Sequence, residues 1–109
     1  MDDTHSPRTV DRISFGQAST LPGLFEERCR RCPEAEAYRQ FDAASGQWRG
    51  ASWGEVGERV RRWRGALARE NLAAGERVAI MLKNSIEWVC FDQAAQSLGL
   101  VVVPLYPTD

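Results

Sequence analysis

Lysine is almost missing from this chain of 109 residues: Lys83 stands alone, and the other thirteen basic residues are arginine. Histidine occurs once, as His5, too little for a histidine-based metal centre. The nine glycines are scattered singly and never form G-x-G-x-x-G, which removes the usual glycine-rich cradle for phosphate. Long apolar runs are also lacking, since the one near the C-terminus, Leu100 to Tyr106, is far too short to cross a bilayer. Residues 1–19, MDDTHSPRTVDRISFGQAS, carry early acids and no apolar core, so they do not read as a signal peptide. Three cysteines without a secretion signal point to reduced thiols, not a disulfide framework. The cytoplasm, or the cytoplasmic face of a membrane, is the expected compartment. A net charge of −1 excludes a whole-chain electrostatic surface for nucleic acid or anionic lipid.

What is present is ordinary for a globular protein: 43% hydrophobic residues, 27% charged residues and four tryptophans, enough for one modest core. A first helix is expected after Ser19-Thr20, with Pro22 at an early position and Pro33 as its stop. Leu21, Leu24, Phe25, Cys29 and Cys32 would share one face of it. EAYRQFD and GQWRGAS read as two short strands of a hairpin joined by Asp42 to Gly46. Ser52 and Glu55 form an S-x-x-E capping box opening a second helix, with Trp53, Val56, Val60, Trp63 and Leu67 as its apolar stripe. Glu55–Arg59 and Glu58–Arg62 have the spacing of supporting ion pairs, and Gly75 is the expected stop.

Val78 to Leu82 then reads as a wholly apolar strand. Asn84 with Glu87 is the expected start of a third helix, which runs to Leu98 with Gly99 at its end. Trp88, Phe91, Ala94, Ala95 and Leu98 would face one way on it. Leu100 to Val103 is a second apolar strand, interrupted by Pro104. Continuous apolar strands around a helix indicate a parallel β-α-β unit belonging to a sheet covered on both faces. One crossover helix covers one face only, so the unit reads as the beginning of a larger α/β sheet.

In this order the segments LPGLFEERCRRCPEAEAYRQF, GQWRGASWGEVGERVRRWRGALARE and AAGERVAIMLKNSIEWVCFDQAAQSLGLVVVPLYPTD resemble the N-terminal part of the AMP-forming acyl-CoA synthetases, adenylate-forming ligases. Glu76 stands where that family more usually has Asp, which keeps the acid. The hairpin bearing Trp48 and the ending PLYPTD resemble the long-chain fatty acid branch. The resemblance implies an α/β fold: helix, hairpin, long helix and β-α-β unit, forming the N-terminal portion of a large domain with an incomplete sheet. Residues 20–109 would be a truncated piece of that AMP-binding domain, and residues 1–19 a disordered tail.

The implied activity is ATP-dependent conversion of a fatty acid to an acyl-adenylate, followed by thioester formation with coenzyme A. ATP, magnesium and coenzyme A are implied for the complete enzyme, with peripheral membrane association as a further expectation. Such chemistry needs donors that hold several negative charges, normally a Ser/Thr/Gly-rich loop with a lysine. That loop does not occur here, so no catalytic, cofactor-binding or metal residue is assigned. The chain alone is expected to be inactive and to bind no cofactor, its partner being the remainder of the ligase.

Three motifs invite other readings. Cys29-x-x-Cys32 could be half a zinc site or a redox pair, but two ligands are missing and the pair lies near the helix C-terminus. Small buried hydrophobes are the expected explanation. ERVRRWRGALARE, with five arginines around Trp63, suggests nucleic acid, yet Trp63 belongs to the apolar stripe and a solvated face is expected. Lys83-Asn84-Ser85 sits at a strand-to-helix junction, where phosphate can bind, but capping explains Asn84 and Ser85 better. Remaining alternatives are a short-chain or aryl acid–CoA ligase, an adenylation domain, or a non-catalytic remnant serving as an interaction module.

Overall fold

The computed structural model describes residues 11–106. Seven elements follow one another: α1 (Leu21–Arg31), β1 (Glu36–Asp42), β2 (Gln47–Ser52), α2 (Trp53–Ala68), β3 (Arg77–Ile80), α3 (Ile86–Ser97) and β4 (Val101–Pro104). They make two separate two-stranded sheets, β1 antiparallel to β2 and β3 parallel to β4. The α/β architecture read from the sequence is therefore present, and the β-α-β unit is parallel as expected.

Local chemistry places most boundaries. Thr20 caps α1 by accepting from the Gly23 amide at 3.0 Å. Within the hairpin loop Asp42 accepts from the Ala44 amide, the Ser45 hydroxyl and Arg49, while Gly46 adopts φ 70° to close the turn. Ser52 and Glu55 form the reciprocal capping box, with Ser52 Oγ accepting at 3.1 Å and Glu55 Oε1 at 2.8 Å. At the end of α3 the Leu100 amide donates to Ala95 O and the Gly99 amide to Gln96 O, a Schellman closure with Gly99 at φ 76°.

The core lies where α2 and α3 pack under the hairpin. Ala51, Val56, Val60, Cys90 and Ala94 form its buried cluster, with Phe25, Tyr38, Trp63 and Ile86 packed around it. Trp63 stacks edge-to-face on Phe91 at 5.3 Å and donates to Glu87, tying the two helices along their length. A second buried group, Ile80, Ala95 and Leu100, sits where α3 meets the parallel strands.

The structure corrects several details. Helix α2 ends at Ala68, well before Gly75, because Asn71 takes the left-handed conformation (φ 57°) that asparagine tolerates. Gly75, at φ 91°, instead turns the chain into β3, its amide bonded to Gly99 O. Glu58 pairs with Arg61 and not Arg62, and Glu55 is engaged in the capping box rather than bonded to Arg59. Strand β3 stops at Ile80, whose register partner is Pro104 and whose carbonyl still accepts from the Leu105 amide at 2.8 Å. Met81 and Leu82 are exposed. Ser85, not Asn84, caps α3, and Cys90 joins Ala94 and Ala95 in its buried set. No residue of α1 is buried, and Leu21 and Leu24 are exposed despite their place on its stripe.

In the stretch expected to be a tail, Asp11 and Arg12 are bonded to the end of α1. Asp11 binds Arg31 at 2.6 Å and Arg28 at 3.0 Å, and a turn bonds Gln17 to Ser14. Glu27 binds both Arg30 and Arg31.

Two outcomes test these contacts. Ser52→Ala removes the cap on the helix that carries most of the core. It should cost about 1 kcal/mol, lowering the thermal midpoint by roughly 4–8 °C per kcal/mol for a domain of this size, while Ser52→Thr stays near wild type. Circular dichroism melting reads both. The guanidiniums of Arg30 and Arg31 hold Glu27 down to about 2 from its ordinary 4.5. Its folded value is thus depressed, so its contribution is complete above the ordinary value and fades as pH falls between 4.5 and about 2. Urea midpoints measured across that window should fall with pH, and Glu27→Gln should flatten the fall.

Candidate functional site

The loop between β3 and α3, the first turn of α3, the hairpin and Arg59 of α2 together line a polar cleft. It measures about 600 Å³ and is lined by Gln40, Arg49, Arg59, Lys83, Asn84 and Glu87 among others. The parallel pairing of β3 with β4 aims the chain at this point, and α3 starts immediately afterwards. Arg49 is committed to Asp42 at 2.8 Å, whereas Arg59 and Lys83 make no ion pair among the described residues.

A helix N-terminus beside two cations is the arrangement that binds phosphate in other α/β proteins. Here two of its amides are already used. Gln40 reaches across from β1 and accepts from the Ile86 amide at 2.8 Å, and Ser85 Oγ accepts from the Trp88 amide at 3.2 Å. Asn84 is exposed and makes no cap. The junction therefore docks the hairpin onto α3. Gln40 was invisible to sequence reasoning, because its partner lies 46 positions away; Ser85 carried a signal, its hydroxyl three residues before Trp88.

A second, more apolar groove of about 400 Å³ runs between α1, the hairpin and α3, walled by Leu21, Leu24, Phe25, Tyr38 and Trp53. Trp53 is at its centre, 5.9 Å from the Phe25 ring and 5.7 Å from Tyr38. Burial pushes the Tyr38 hydroxyl above its ordinary range. Gln93 also lines this groove, and its Oε1 is buried without a hydrogen-bond partner.

The motifs singled out in the sequence separate clearly. Trp63 is held against Phe91 and Glu87, so it is not free to stack on a base, and Arg64 is bonded to Ser97. Cys29 and Cys32 are both partly exposed, which corrects the expectation of buried filler, while Cys90 is fully buried. Burial raises the Cys90 thiol to about 11, and burial also raises Cys29, opposed by the nearby charge of Arg61. Among the described residues no three His, Cys, Asp or Glu side chains are grouped to hold a metal ion, and His5 lies outside those residues. No helix among them is long and apolar enough to cross a membrane.

Comparison with known proteins supplies what this geometry lacks. Residues 25–109 match the family of AMP-binding enzymes. A long-chain acyl-CoA synthetase of Arabidopsis thaliana is 27% identical over 123 aligned residues, which cover 97% of this chain. The N-terminal subdomain of NpsA from Klebsiella oxytoca superposes with a TM-score of 0.69 at 28% identity, over 82% of this chain and 22% of its own. A fatty acyl CoA synthetase of Mycobacterium tuberculosis gives 0.66 at 25% identity, over 77% of this chain and 16% of its own. The chain spans only 17% of the plant relative's length. With the match reaching from α1 through β4, the chain belongs to the AMP-binding enzyme family and has the fold of the N-terminal portion of an adenylate-forming ligase.

Proposed function

We propose that this chain is the scaffold-forming N-terminal part of a long-chain fatty acid–CoA ligase. In this reading the complete enzyme joins a fatty acid carboxylate to the α-phosphate of ATP, releasing pyrophosphate. The coenzyme A thiol then displaces AMP to give the thioester. Magnesium accompanies the nucleotide, and the groups that bind ATP lie outside this chain. The enzyme works in the cytoplasm or against the cytoplasmic face of a membrane, where long-chain acids partition.

The family match over residues 25–109 carries the proposal. The long-chain assignment draws its support from the plant acyl-CoA synthetase and the mycobacterial fatty acyl CoA synthetase. A scaffold role is supported by the junction before α3, where the Ile86 amide seats the hairpin through Gln40 and Ser85 caps the Trp88 amide. It is supported too by the exposed apolar side chains Met81, Leu105 and Tyr106 beside the parallel strands, which suit contact with the remainder of the ligase. Residues 20–109 are then one continuous piece of the AMP-binding domain.

One observation favours a second reading. NpsA, at 28% identity, has been solved with 3-hydroxyanthranilyl-AMSN, so an aryl acid is the competing substrate class.

The deciding experiment incubates the complete ligase with ATP, magnesium, coenzyme A and a palmitate, acetate or 3-hydroxyanthranilate substrate. Thioester and AMP should form fastest with palmitate, and the 109-residue chain alone should form none. Preference for the aryl acid or acetate overturns the long-chain reading. Thioester formation by the isolated chain overturns the scaffold reading.

A further inference from the structure

Cys29 and Cys32 differ from the third cysteine in their access to solvent. Cys90 has no exposed surface, whereas both members of the pair are partly open to solvent. Cys29 lines a cleft of about 520 Å³ between α1 and α2, together with Gly54, Gly57 and Arg61. Its sulfur lies so close to α2 that a Cβ added at Gly57 would come within 3.3 Å of it.

Spacing alone would not allow the two sulfurs to bond. Within a regular helix, residues three apart hold their Cβ atoms about 5–6 Å apart, whereas a disulfide needs about 3.5–4.5 Å. One partner must leave the helix. Cys32 has done so: it is the residue after α1, with φ −141° and ψ 67°, and its own amide still bonds to Arg28 O. Arg28 Nη1 also donates to the Cys32 sulfur at 3.7 Å, and the same nitrogen is braced by Asp11 Oδ2 at 3.0 Å. The braced guanidinium thus holds the Cys32 sulfur in place at the end of α1.

We propose that Cys29 and Cys32 form a reversible dithiol–disulfide pair, closed by exchange with a small disulfide of the glutathione class, and that closure draws the Cys29 sulfur off α2. The Cys32 thiolate attacks one sulfur of glutathione disulfide, forming a mixed disulfide and expelling one glutathione thiolate. The Cys29 thiolate then attacks the Cys32 sulfur, forming the Cys29–Cys32 bond and expelling the second. The two protons lost by the protein thiols end on the two glutathione molecules. The protein is oxidised by two electrons and the glutathione disulfide reduced by two. Closure also ends the contact in which Cys32 donates to Arg28 O at 3.5 Å. It removes the sulfur that fills the space beside Gly57, so redox state is coupled to the packing of α1 on α2.

The test treats the reduced chain with glutathione disulfide and follows it by intact mass and peptide mapping. One internal Cys29–Cys32 disulfide should accumulate with Cys90 still a thiol, and Arg28→Gln should slow closure several-fold. Amides of α1 should exchange with deuterium faster in the closed form. Three results overturn the pair: no reaction, separate mixed disulfides on both cysteines, or closure at an unchanged rate in Arg28→Gln. Unchanged exchange in α1 overturns the coupling to α2.

Discussion

Everything in this structure hangs on the contact between α2 and α3. Val56 and Cys90 have no exposed surface, and Ala94 closes the gap beside them. Burying one such side chain stabilises by about 1.5–3 kcal/mol. Small residues matter as much here as large ones, because alanine at 94 and cysteine at 90 let the two helices approach. The hairpin joins the same core through Ala51 and is pinned to α3 by Gln40. Helix α1 joins more loosely, through Phe25 and through the Cys29 sulfur against Gly57. Among the described residues its ion pairs join it only to Asp11 and to itself, and such surface pairs contribute little individually.

The parallel strands depend on that core without extending it. Ile80 and Leu100 are buried where α3 covers them, while Val101 on the same two-stranded sheet is nearly half exposed. The ladder is four residues long and ends at a proline. A two-stranded sheet with so little covered surface has weak independent stability. In the proposed ligase, these strands acquire their missing neighbours from the rest of the large domain.

The parts legible from sequence were those fixed by near neighbours. The hairpin loop, the Ser52–Glu55 box and the Gly99 closure each depend on groups within a few positions, and each formed where the residues indicated. Choices among adjacent candidates were harder. Asn84 and Ser85 are both good caps, and Asn71 ends α2 where a later glycine drew attention. The junction before α3 was legible as a place but not as a device, since its purpose depends on Gln40 arriving from another element. The Cys29–Cys32 pair was legible as a motif, yet its exposure was not, because an apolar stripe does not reveal how much of itself a partner covers. Catalytic groups were not legible in either description, and the family assignment rests on the match between chains.

The central claim is that the α2–α3 core holds the chain and the parallel strands are its weakest ordered part. Native-state hydrogen exchange of the isolated chain tests it most directly. Amides in α2 and α3 should be the most protected, with those of β3 and β4 exchanging earlier through local opening. Protection in β3 and β4 equal to that of the two helices would contradict the claim.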